Sequence, residues 1–178
     1  MSGAIKRLGI GSKTPEVFNV VVEVPKGSHN KYEYDEKLNV FTLDRVLYSP
    51  VHYPFDYGFI PETRSEDQDH LDCLIIGGDS TFPGCVVRVR PIGILKMIDD
   101  GEEDFKILGV QKDNPRFNEV ADIEDIKKNN KHMLEEIQHF FRVYKELENK
   151  KVVINGWEGS EVAKKEIERA IEAYKKQG

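Results

Sequence analysis

The sequence predicts an α+β domain, with a small twisted or closed sheet and helices packed outside it. Three observations carry that expectation. The first part of the chain is a series of short β-branched and apolar runs separated by polar, Gly or Pro turns. The last third switches to apolar residues at helical spacing. No repeat and no Pro/Ser-rich linker divides the 178 residues, so residues 1–178 read as a single domain.

The elements follow in chain order. Phe18 to Val24 (FNVVVEV) is a strand by composition. Lys31 to Tyr34 and Val40 to Tyr48 are strands joined by the polar turn Asp35 to Asn39. Tyr57 to Ile60 is a short apolar piece, and Leu71 to Ile76 is a strand stopped by Gly77-Gly78. Cys85 to Ile98 contains Pro91, which cannot donate a ladder hydrogen bond, so a break or bulge belongs there. Phe105 to Val110 is the next strand. Met133, Leu134, Ile137, Phe140, Phe141, Tyr144 and Leu147 then form one apolar helical stripe. Val152 to Ile154 is a short strand. A second stripe, Val162, Ile167, Ala170, Ile171 and Tyr174, has Ser160 near its start as a cap.

Composition narrows the function. Hydrophobic residues make up 39% and charged residues 33%, the balance of a globular protein in water. No run approaches the roughly 20 apolar residues of a spanning helix. Met1 to Pro15 lacks the apolar block of a secretory signal, so a cytoplasmic protein without membrane contact is expected. Cys73 and Cys85 lie in apolar runs and read as two buried thiols. The formal net charge of −6 argues against a nucleic-acid partner. An anionic small substrate stays compatible if the acids hold cations, because bound ions invert the local sign.

Two acidic clusters carry the most information. In Ser65-Glu66-Asp67-Gln68-Asp69-His70-Leu71-Asp72, the aspartates stand at i, i+2 and i+5 before an apolar strand. Asp67 and Asp69 point the same way in extended chain, and a local bend brings in Asp72. Such carboxylates suit a hard divalent cation such as magnesium. A calcium loop of the EF-hand type is excluded, since its sixth-position glycine is missing and Gly78 stands at its twelfth. Asp99-Asp100-Gly101-Glu102-Glu103-Asp104 joins two strands through a tight hairpin-like connection. One acidic loop alone is more often a solvated charge run. Two clusters at strand ends favour a shared role, because apposed carboxylates repel unless cations lie between them. Glu23 interrupts an apolar strand, and alternation alone allows it a solvated or a functional place.

Donors for an anion are spread along the chain. Lys31 and Glu33 share one strand face, and Arg45 sits in an apolar segment where an unpaired charge is expensive. Tyr53 and Tyr57 share a loop, Tyr144-Lys145 closes the long helix, and Lys106 leaves the second acidic loop. Singly, each is more often structural than catalytic.

Assembled in order, these pieces resemble the soluble type I inorganic pyrophosphatases, from about Val17 to Ala173. The matching stretches are VVVEVPKGSHNKYEYD, DRVLYSPVHYPFDYGFIPET, the D-x-D-x-x-D run, RPIGILKMIDDGEEDFK, HFFRVYKELE and the closing GW with its helix. The resemblance implies a small closed five-stranded OB-like β-barrel with flanking C-terminal helices. It implies direct metal ligation by Asp67, Asp72, Asp99 and Asp104, and Asp69 as the acceptor of the nucleophilic water's proton. Glu23 and Glu33 match acids that hold metal-associated waters. Lys31, Arg45, Lys106, Tyr144 and Lys145 match phosphate-binding groups, and Tyr53 and Tyr57 match active-site tyrosines, Tyr57 nearest the attack site. Several Mg2+ ions per site follow, with Mn2+ or other divalent ions as substitutes. Pyrophosphate is the implied substrate, and a homo-oligomer the implied assembly, with a hexamer favoured over a dimer or tetramer.

The chain departs from the family pattern in three places. Gln68 stands where Gly or a small or acidic residue is usual, His70 where Pro is usual, and Asp100 where Glu is frequent. The first two change the backbone freedom of the metal loop. Two rival readings are a metal-dependent phosphohydrolase acting on other phosphates, and a non-catalytic OB-like binding module. The second would need a basic groove with aromatic platforms, which the two acid clusters oppose.

Overall fold

The computed structural model describes residues 5–177, so Met1–Ala4 and Gly178, the ends of the expected 1–178 domain and part of the N-terminal reading, lie outside the described residues. In chain order the elements are β1 (Phe18–Val24), β2 (Asn30–Asp35), β3 (Val40–Val46), β4 (Asp56–Phe59), β5 (Asp72–Ile76), β6 (Val86–Asp99), β7 (Glu102–Glu103), β8 (Lys106–Gln111), α1 (Ile123–Val143), β9 (Val152–Gly159) and α2 (Ser160–Gln177). The expected strands match to within two residues, except that β9 runs on to Gly159. Its extension comes from pairing with the second half of β6, from Gly93↔Gly159 to Asp99↔Val152. No helix among the described residues is long and apolar enough to cross a membrane.

Among the described residues, β1, β4, β5, β8 and β6 close into a ring of five strands, with β1 pairing back onto β6. The pairs are antiparallel except β5–β8, which is parallel. Closure leaves no free edge within the ring. β6 turns the corner: its first residues pair with β1, and its register against β8 shifts between Pro91 and Gly93, where the sequence demanded a break. Tight closure also needs Gly58, where any Cβ would lie 2.0 Å from the Val21 carbonyl oxygen of the neighbouring strand.

Alternation sorts the ring's side chains onto two faces. On β5, Leu74 and Ile76 pack with Leu134, Ile137, Phe140 and Phe141 of α1. Cys73 and Ile75, one step out of phase, pack with Ala163, Ile167 and Ala170 of α2. Both thiols are free. Cys73 is buried as expected, while Cys85, just before β6, is only partly buried. Leu147 is corrected: α1 stops at Val143, and Leu147 sits exposed in the 3-10 turn Glu146–Glu148. α1 itself is kinked at Asn130, just after the Asn129 amide donates to the Asp125 carbonyl at 2.9 Å. That bond competes for a carbonyl of the helical ladder.

One carboxylate starts both helices. Asp122 caps α1 through the Glu124 N–H at 3.2 Å, and its other oxygen accepts from both the N–H and the hydroxyl of Ser160 at 2.7 Å. Ser160 is thus the first residue of α2 and receives its cap from Asp122. Burial alone would raise the Asp122 carboxyl; the bonds from Ser160 and Glu124 outweigh it and hold the pKa below the ordinary 3.8. Stability from this group is therefore full above about pH 3.8 and drains away as pH falls through the lower folded value. Asp122→Ala is expected to lower the unfolding free energy by about 1–2 kcal/mol in denaturant titration. Asp122→Asn should flatten the acid limb below pH 3.8, and an unchanged acid limb would show the carboxylate is not the shared cap.

Candidate active site

A cavity of about 560 Å³ opens at one end of the ring. Twelve of the residues singled out in the sequence line it: Glu23, Lys31, Glu33, Tyr57, Asp67, Asp69, Asp72, Asp99, Asp104, Lys106, Tyr144 and Lys145. A smaller hollow of about 300 Å³ shares Asp67, Asp99, Asp104 and Lys145, and adds Asp100, Glu102, Glu103 and Lys150. The two acidic clusters, about thirty residues apart, therefore face one space.

Strand geometry brings them there. Asp72 opens β5, and the parallel register sets it opposite Lys106, the first residue of β8. Lys106 is only 3% exposed; its ammonium lies 2.5 Å from Asp72 Oδ2 and also contacts Asp104 Oδ1. Burial would lower its pKa, but the two carboxylates outweigh that and hold it above the ordinary lysine range. Asp99 ends β6 and pairs with Lys145, with the Tyr144 hydroxyl 3.5 Å away. The Asp100-Gly101 turn, with φ of 52° and 97°, carries the chain straight back into β7. Glu23 occupies a bulge of β1, between Val22↔Gly58 and Val24↔Tyr57. The bulge aims its carboxylate at the cavity, where it accepts the Tyr34 N–H at 2.8 Å.

The carboxylates crowd one another. Burial raises Asp67, Asp69 and Asp104, and neighbouring carboxylates add to the rise. Burial pushes Glu23 up to about 8, with Asp72 adding to it and the Tyr34 N–H and Lys31 opposing it. Tyr57 and Tyr144 are held well above the ordinary phenol range, by burial first and carboxylates second. Their hydroxyls are thus donors, and Tyr57 donates to Asp72 Oδ2 at 2.5 Å.

Arg45 and Tyr53 are not on the cavity wall. Tyr53 is buried behind Tyr57, with ring centroids 5.4 Å apart, and against Phe140 at 4.8 Å. Arg45 is forked between Glu148 Oε1 at 3.0 Å and Asp44 Oδ2 at 2.5 Å, and its buried Nη2 has no hydrogen-bond partner among the described residues. Asp44 in turn lies 3.5 Å from the Lys31 ammonium, which also contacts Glu33. Sequence reasoning left out part of the outer wall, formed by Tyr34, Glu36, Lys37, Phe59 and Arg64; Gln68 and His70, noted only as departures from the family pattern, stand beside them. Arg64 stands three residues before Asp67, and that proximity is the one sequence signal that could have found it.

Do these residues suit magnesium? The donors are carboxylate oxygens, which a hard cation prefers. Their mutual repulsion is what a cation relieves, and Asp99 Oδ1 is buried without a hydrogen-bond partner among the described residues. Among the described residues no three His, Cys, Asp or Glu side chains converge on a ready-made ion position. Instead, Lys106 lies between Asp72 and Asp104, and Lys145 pairs with Asp99. The donor chemistry fits, with coordination requiring the carboxylates to exchange lysine for cation.

A closed α+β ring with a pocket of interleaved carboxylates, ammonium groups and phenols defines an OB-like protein built around an ion-rich site. Comparison with known proteins sharpens this. The family model described as inorganic pyrophosphatase matches residues 20–175. The inorganic pyrophosphatase of Geobacillus stearothermophilus is 48% identical over 162 residues, covering 91% of this chain and 96% of the relative. That of Haloferax volcanii is 47% identical over 165 residues, 92% of each. The crystal structure of the Thermus thermophilus inorganic pyrophosphatase superposes with a TM-score of 0.91 at 44% identity, covering 96% of this chain and 98% of that one. The chain belongs to the inorganic pyrophosphatase family.

Gln68 adopts φ of +70°, a left-handed conformation that L side chains resist. Replacing it with Gly is expected to raise the unfolding free energy by up to about 1 kcal/mol, whereas Gln68→Val should lower it. Equal stability of the two variants in denaturant titration would show that no strain resides there.

Proposed function

We propose that the whole chain acts as one domain that hydrolyses inorganic pyrophosphate to two orthophosphates in this cavity. The observation that carries the reading is the convergence of both acidic clusters with Lys31, Lys106 and Lys145 on one space, in a chain of this family.

Asp67, Asp72, Asp99 and Asp104, with Glu23, are the residues that would hold several magnesium ions, manganese being the expected substitute. When bound, such ions neutralise phosphate charge and make water more acidic. The chain's own residues do the rest. Asp69, one of the aspartates whose affinity for protons burial has raised, accepts the proton of the attacking water. The water oxygen forms the new bond to phosphorus, and the bridging P–O bond breaks in line. The electron pair of that bond leaves with the second phosphate. Lys31, Lys106 and Lys145 exchange carboxylate for phosphate oxygens, and the Tyr57 and Tyr144 hydroxyls donate to them. Glu33 holds Lys31 in place, and Tyr53 backs the Tyr57 ring. Arg45 reaches the grip through Asp44, the carboxylate it shares with Lys31.

Self-assembly, a hexamer before a dimer or tetramer, belongs to the same reading; exposed apolar side chains such as Leu43, Val46 and Tyr48 support a contact surface. The free thiols suit a reducing, cytoplasmic setting. The net charge of −6 speaks against a nucleic-acid partner.

The direct test is phosphate release from pyrophosphate with and without magnesium, alongside a nucleoside triphosphate. Strong, magnesium-dependent release from pyrophosphate is expected, and preference for the nucleotide would overturn the reading. Asp69→Asn is expected to lower kcat by about 10²–10⁴-fold with the fold intact; near-normal turnover would remove Asp69 from the role of base. Arg45→Lys loses the fork and is expected to raise KM; unchanged kinetics would place Arg45 outside the grip.

A further inference from the structure

The β2–β3 hairpin carries Lys31 and Glu33, yet among the described residues no ladder joins it to the ring. Separate contacts hold it. Near the open end of the pair, Arg45 bonds Glu148 at 3.0 Å, and close to the turn the Tyr34 N–H bonds Glu23 at 2.8 Å. At the turn end, Glu36 Oε1 lies 2.7 Å from His70 Nε2 and 3.5 Å from Arg64 Nη2. Arg64 and His70 stand on either side of the loop that bears Asp67 and Asp69.

The His70 ring is well seated for this contact. It stacks on Phe59 of β4 at 4.9 Å and 12°, and Tyr34 of the hairpin stacks on the same Phe59 at 5.7 Å and 20°. Its Nδ1 lies 2.9 Å from the Thr63 carbonyl and 3.1 Å from Arg64 Nη1. The carboxylate opposite Nε2 selects the forms of the ring that carry a proton there, so Nε2 donates to Glu36. A proline, the residue usual at this position by resemblance, offers neither a ring to stack nor a proton to donate.

We infer that His70 is a positioning residue, which through Glu36 latches the β2–β3 hairpin to the acidic loop and holds Lys31 over the carboxylates before substrate arrives. The inference rests on the proposed role of Lys31 in gripping phosphate. A hairpin that is unlatched occupies the competent position for only part of the time, and apparent affinity falls by that fraction. Bound substrate restores the position, so the chemical step is unaffected. The latch therefore acts on KM and not on kcat.

Steady-state kinetics of the full chain with pyrophosphate and saturating magnesium test this, with thermal unfolding measured in parallel. Glu36→Ala is expected to raise KM by about 3- to 10-fold, with kcat within about twofold. Glu36→Gln keeps an acceptor oxygen and should restore KM. His70→Phe keeps the stack but loses the donor, and should raise KM as Glu36→Ala does; the double variant should be no worse than either single one. Additive effects, no rescue by Gln, or a fall in kcat matched by a fall in melting temperature would each overturn the latch. Lys31→Gln separates the two claims. If it raises KM and Glu36→Ala does not, the latch fails while the function stands. If Lys31→Gln leaves KM unchanged, the role of the hairpin in the reaction falls and the latch with it.

Discussion

At the centre of the pocket one buried ammonium is wedged between carboxylates from two chain segments. Lys106 is 3% exposed, and an unpaired charge at that depth would be expensive. Asp72 faces it across the parallel β5–β8 pair, and Asp104 lies two residues before it. Removing one partner from such a buried pair costs about 3–5 kcal/mol. The triad therefore ties the first acidic loop, the second acidic loop and the ring into one arrangement. Tyr57 depends on it too, since its hydroxyl donates to Asp72 and its ring centroid lies 5.6 Å from the Lys106 ammonium.

The same principle repeats around the cavity. Lys145 pairs with Asp99, and Lys31 with Glu33 and Asp44. Each ammonium compensates an acid that repels its neighbours, which keeps both kinds of group in a space neither could fill alone. In the proposed reaction the lysines change partners instead of moving in from solvent. Little reorganisation is then needed when charge shifts between phosphate oxygens.

Much of this was legible in the chain. The strands of the ring could be placed because β-branched runs and Gly or Pro punctuation are local signals. The D-x-D-x-x-D run announced itself through spacing, and the acidic turn through density. The position of Lys106 needed the β5–β8 register, which pairs residues 34 apart and leaves no local trace. Glu23 read as ambiguous because alternation assumes an unbroken ladder, and β1 has a bulge at that residue. The Asp122 cap on α2 was hidden for a similar reason: donor and acceptor are 38 residues apart. The outer wall, with Glu36 and Arg64, escaped notice because its members come from separate segments that meet only in the fold, while His70 showed in the sequence only as a departure from the family's usual proline.

The extra residue in β1 has a consequence for how the protein tolerates change. Before Glu23, the strand keeps step with β6 and β4 through Phe18 to Val22; after it, Val24 follows a register displaced by one. The bulge works as a mechanical joint between the packed interior and the charged mouth of the ring. Small shifts in the apolar layer can be absorbed at that joint without dragging the Glu23 carboxylate along. Deleting Glu23, the extra residue, would leave a regular ladder between Val22 and Val24 and strip its carboxylate from the mouth.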